Sequence, residues 1–72
     1  MKYKYEIIIE QAENNYSAFS PDVPGCIAVG DTVEETLQEM EEAIEFHLEG
    51  LKERGLPIPE PKTNHFYVEV NA

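Results

Sequence analysis

The stretch Ser20-Pro21-Asp22-Val23-Pro24-Gly25-Cys26-Ile27-Ala28-Val29-Gly30-Asp31-Thr32-Val33-Glu34-Glu35 decides the fold. Pro21 and Pro24 have fixed φ and no N–H, so neither belongs in a central β-ladder. Pro24-Gly25 has the chemistry of a type II turn, with Gly25 supplying positive φ. Cys26 to Val29 then reads as a short apolar strand. Gly30 ends it and lets the chain turn toward a helix. Asp31 with Glu34, and Thr32 with Glu35, both match a capping box, so two helix registers compete. Glu34 and Glu35 also sit where the helix dipole favours negative charge.

Upstream, Tyr3 to Glu10 reads as a strand. Tyr3, Tyr5, Ile7 and Ile9 alternate on one face, and Ile8 places an apolar group on the other. Glu13-Asn14-Asn15 is a turn, and Tyr16 to Ser20 a second strand, giving a hairpin. Downstream, Val33, Leu37, Met40, Ala43, Ile44, Leu48 and Leu51 recur at helical spacing. Gly55 is the expected left-handed terminator, with Leu56 folding back on the last turn. Pro57, Pro59 and Pro61 favour an extended return segment. From Asn64 onward, Phe66, Val68 and Val70 alternate against His65, Tyr67 and Glu69.

The expected class is therefore α+β, in the order β-β-β-α-β. One helix packs on a small mixed sheet, and the last strand lies parallel beside the first by a right-handed crossover. The 72 residues make one domain, 1–72, with no C-terminal DNA-binding domain expected. So small a core is marginal, and a single cysteine offers no internal disulfide, so a homo-oligomer, dimer or higher, is expected. One helix cannot cover both sheet faces. Ile8, Phe19 and Tyr67 are the candidates for an oligomer interface on the uncovered face.

Fifteen acidic side chains oppose five basic ones, a formal net charge of -10. That field repels phosphate backbones, so direct nucleic-acid binding is not expected and a basic protein partner suits the chain better. Met1 to Glu6 has no secretory-signal character, and nothing approaches transmembrane length. With the lone Cys26, this favours the cytoplasm.

These residues in this order resemble the HicB-like antitoxin family. The matching pieces are Tyr16-Ser17-Ala18, Pro21-Asp22-Val23-Pro24-Gly25-Cys26, Gly30-Asp31-Thr32 with Glu35, Glu42-Ala43-Ile44-Glu45, and Gly55-Leu56-Pro57-Ile58-Pro59-Glu60-Pro61. The resemblance implies a partial RNase H-like fold and the toxin-neutralising role of a type II toxin–antitoxin pair. The implied partner is HicA, a small basic ribonuclease that cleaves mRNA. Family antitoxins often carry a further DNA-binding module, which is not expected here.

Glu41, Glu45, Glu49 and Glu53 lie four apart and line one helix stripe. Like charges at that spacing cost roughly 0.2–0.5 kcal/mol per pair, a penalty that a basic partner would offset. Glu41, Glu45 and Glu49, with Asp22 in the Pro turn, are the candidate partner-binding residues. The bland reading is a solvated helix face. A metal-dependent nuclease would need converging carboxylates. Glu6, Glu10, Asp22 and Asp31 are the non-helical candidates, and nothing in their spacing makes them converge. His47 and His65 lack further ligands, so no metal, cofactor or catalytic residue is expected. Cys26 lies between Asp22 and Asp31, which disfavour a thiolate, so it reads as a packing group. An orphan oligomeric module with an unrelated partner is the remaining alternative.

Overall fold

The computed structural model describes residues 3–72; Met1 and Lys2, which head the N-terminal stretch read above, lie outside them. Three strands, β1 (Ile8–Gln11), β2 (Tyr16–Phe19) and β3 (Ile27–Gly30), precede one helix, α1 (Val33–Glu53). The strands form an antiparallel meander in the order β1-β2-β3, and α1 packs across β2 and β3. The α+β class and the β-β-β-α order are as expected.

The two Pro turns set the path from β2 to β3. The Val23 N–H donates to Ser20 C=O across Pro21-Asp22, and the Cys26 N–H to Val23 C=O across Pro24-Gly25. Gly25 has φ 91°, the left-handed value that a type II turn requires. The turns bury Val23 and Cys26 beneath the helix, beside Ala18, Ala28, Met40 and Ile44. Tyr5, Ile7, Ile9 and Leu48 close the rim of this core.

Thr32, not Asp31, caps the helix: its side chain accepts from the Glu35 N–H at 3.0 Å. Glu35 reaches back to the Asp31 N–H at 3.2 Å, so Asp31 contributes its backbone rather than a cap. Choosing Thr32 brings Thr36 onto the sheet, where it is fully buried and its hydroxyl donates to Thr32 C=O at 2.7 Å. Gly30 is needed here for space. A Cβ on it would stand 2.7 Å from Thr36 Oγ1 and 2.9 Å from Thr36 N. At the other end Gly55 has φ 69°. The Leu56 N–H donates to Leu51 C=O and the Gly55 N–H to Lys52 C=O, a Schellman closure.

Two expectations are corrected. The helix's apolar face is covered unevenly: Met40 and Ile44 are buried, whereas Val33 and Leu37 are 39% and 42% exposed. The final segment makes no strand, so the sheet is antiparallel rather than mixed and the parallel crossover is not formed. The platform for that strand is missing. β2 ends at Phe19, opposite Ile8, and Pro21 follows without an N–H, so residues 3–7 stand outside the ladder.

Candidate functional site

The surface of α1 is the most charged part of the molecule. Its 21 residues hold eight glutamates against Lys52 as the single lysine. Glu41, Glu45 and Glu49 are exposed and share one stripe, as their spacing dictates. Glu41 and Glu45 also border a groove of about 520 Å³. Its walls include Tyr3, Tyr5, Leu37 and Ile58, so the acidic stripe runs beside an apolar trough. Lys52 lies at the same groove. A basic, partly apolar protein surface is the chemistry this arrangement complements.

Asp22, the fourth candidate for partner contact, is buried and engaged internally. Its Oδ1 accepts from the Thr63 hydroxyl at 2.6 Å and from the Lys62 and Thr63 N–H groups at 3.0 Å each. Its Oδ2 accepts from the Glu6 N–H at 3.5 Å. Ser20 Oγ, also buried, accepts from the Asp22 N–H and fixes the carboxylate's base. The Thr63 hydroxyl first, then the Lys62 N–H, hold the Asp22 carboxyl below its ordinary value. Asp22 thus ties the return segment to the second strand's end. Tyr5 makes a parallel tie by donating to Pro59 C=O at 2.7 Å.

The sheet face turned away from α1 is open. The register aligns Ile8, Phe19 and Ile27 in one row across the three strands, with Val29 two residues further along β3. Ile27 is 69% exposed and Val29 54%. Tyr67 shares a shallow depression with Ile8 at the β1 side of the sheet. The structure therefore sets Ile8 and Phe19 in one row and adds Ile27 and Val29 to that face, while Tyr67 stands outside the ladder at the depression beside Ile8. Sequence reading missed those two because a continuous apolar run hides which residues face outward. It also missed Thr36, Lys62 and Thr63. Thr32 and Thr36, four apart at a helix start, were the available signal for the first.

The carboxylates weighed for nuclease chemistry stand apart. Glu6 pairs with His65, Glu10 lies exposed on β1 and Asp31 at the helix head, and Asp22 is tied down as described. Among the described residues, no three His, Cys, Asp or Glu side chains gather closely enough to hold a metal ion. The Cys26 thiol is buried, which pushes its pKa up and keeps it protonated, away from thiolate chemistry. Among the described residues, no helix is long and apolar enough to cross a membrane.

Fold and surface together define a small α+β domain with an acidic helix on one side and an open apolar sheet on the other. The family model described as HicB_like antitoxin of bacterial toxin-antitoxin system matches residues 5–70, and the chain belongs to that family. An uncharacterized 14.9 kDa protein of Haemophilus phage HP1 is 39% identical over 64 residues, which is 89% of this chain and 48% of the phage protein. The chain thus spans about half the length of that relative. A UPF0150 protein of Synechocystis is 40% identical over 58 residues, covering 79% of this chain and 73% of the relative. Among solved structures, one titled HicA3 and HicB3 toxin-antitoxin complex contains a similar chain. It matches with a TM-score of 0.70 and 32% identity, over 83% of this chain and 70% of that one.

Proposed function

We propose that this chain is an antitoxin that binds and neutralises a small basic HicA-type toxin, and that it acts by binding rather than by catalysis. The observation that carries the reading is the family match over residues 5–70. The exposed stripe of Glu41, Glu45 and Glu49 beside an apolar groove supports the mode of binding. In this reading the acidic helix occupies the toxin surface that RNA phosphates would use, so inhibition is both steric and electrostatic. Long-range attraction between a chain of net charge -10 and a basic ribonuclease also speeds their encounter. Asp22 contributes indirectly, by holding the return segment. The encounter belongs in the cytoplasm, where the toxin's mRNA substrate is. The chain itself makes no operator contact in this reading, because its charge opposes DNA.

The test is capture of tagged protein from its native lysate at low salt. The expected catch is a small basic protein that cleaves RNA once freed and is silenced when the antitoxin is restored. Replacing Glu41, Glu45 and Glu49 with lysine weakens that association by tenfold or more and flattens its salt dependence, on the scale of a few charge pairs at roughly 0.2–1 kcal/mol each. Unchanged affinity and salt slope in the triple variant would remove the stripe from the interface. Full RNase activity in the restored complex would remove the antitoxin reading.

A further inference from the structure

Residues 64–72 read Asn-His-Phe-Tyr-Val-Glu-Val-Asn-Ala and carry a strand's alternation, yet among the described residues they join no strand of the sheet. Phe66 is 87% exposed, Tyr67 91%, Val68 84% and Val70 78%. Neighbours in a strand point to opposite sides. Exposure of Phe66, Tyr67 and Val68 in succession therefore means that neither side of the segment rests on the domain. The segment is nevertheless anchored at its start, by Asp22 at Lys62 and Thr63 and by the Glu6–His65 pair. These anchors put its point of departure beside residues 4–8. There, among the described residues, β1 has β2 as its single ladder neighbour, so its outer backbone edge is unpaired.

We infer that residues 64–70 form a strand on the β1 edge of a second copy of this chain, each copy giving its segment to the other. Three observations choose a second copy as the occupant. Donor segment and acceptor edge lie side by side on one chain, so a single twofold axis satisfies both at once and leaves no open end. The segment also carries little charge for so acidic a chain: Glu69 is the one formally charged side chain in its nine residues. Two copies, each of net charge -10, therefore meet little mutual repulsion along it. Finally, the area suffices. Aromatic side chains bury about 150–250 Å² each. Phe66 and Tyr67 with Val68 and Val70, counted twice, reach the roughly 1,200–2,000 Å² of a stable pair once the edge they cover is included. In the exchanged pair Tyr67 lies over the open Ile8–Phe19 row, and the added strand completes the four-stranded sheet that one chain leaves unfinished.

The experiment is sedimentation equilibrium of the full chain over a concentration series, with two variants. Wild type is expected at twice its 8.2 kDa mass. Val68→Pro, which removes a ladder N–H at an exposed position, is expected at single mass with an unchanged circular-dichroism spectrum. Ile27→Ser, on the far strand of the open face, is expected to remain a dimer. A monomeric wild type overturns the proposal, as does a Val68→Pro variant that still dimerises. Loss of the dimer in Ile27→Ser alone overturns it in favour of face-to-face stacking. A monomer that loses toxin binding on Val68→Pro overturns it in favour of the toxin as occupant. The sedimentation outcomes do not depend on whether the chain is an antitoxin, so they fail or hold apart from that reading.

Discussion

Two residues hold the molecule together in ways their neighbours cannot replace. Gly30 is one, because the first turn of α1 stands against its Cα. Gly30→Ala must displace Thr36, whose backbone N would lie 2.9 Å from the new Cβ. The expected loss is about 1–3 kcal/mol, the range for overpacking, and urea denaturation reads it as a lower midpoint. Asp22 is the other. Its carboxyl is held below the ordinary 3.8 by bonds that only the ionised form accepts fully. A lowered folded pKa contributes stability that is complete above the unfolded value and is lost as pH falls through the folded one. Hydrogen exchange should therefore show the Lys62 and Thr63 amides protected near neutrality and released in acid, below about 3.8. In Asp22→Ala the same amides should be unprotected at every pH. Protection that survives in Asp22→Ala would mean that Tyr5 and the prolines hold the return segment unaided.

At the scale of elements, α1 has two halves of different character. Its middle is the core: Met40 is fully buried between β2 and β3, with Ile44 beside it. Met40→Ala should cost about 2–5 kcal/mol, whereas Leu37→Ala, at a position 42% exposed, should cost much less. Equal losses at the two positions would show that Leu37 is covered in solution. The apolar periodicity marks both residues alike, and only packing separates them. The outer face of α1 carries like charges at four-residue spacing, a local penalty that the capping at Thr32 and Gly55 helps the helix to bear. The strands show the same division between pattern and partner. β1 is shorter than its alternation allows because β2 runs out of N–H groups at Pro21.

At the scale of the whole molecule, three surfaces compete for contact: the acidic helix, the open sheet face and the unpaired C-terminal segment. Their chemistry divides the work. The charged helix suits a basic partner and repels a copy of itself, while the apolar, weakly charged segment suits the copy. A dimer joined through residues 64–70 would leave both acidic helices free, so the proposed self-assembly and the proposed toxin binding do not exclude each other. The small core also gains from such a pairing, since apolar area buried between copies adds to what one 72-residue chain can bury alone.

The sequence by itself determined the local structure. The type II turn at Pro24-Gly25, the helix ended by Gly55, the three-strand meander and the family resemblance were all readable, because each rests on backbone preferences within a few residues. The acidic stripe was readable for the same reason, since helical spacing alone aligns Glu41, Glu45 and Glu49. Only the tertiary structure decided the rest. It chose Thr32 over Asp31 as the cap, because that register lets Thr36 fill the space beside Gly30. It turned Asp22 from a free carboxylate into the anchor of residues 62–63, a contact forty residues away in sequence. And it left the last strand without a place, because whether an alternating segment pairs depends on an available edge, which no local pattern encodes.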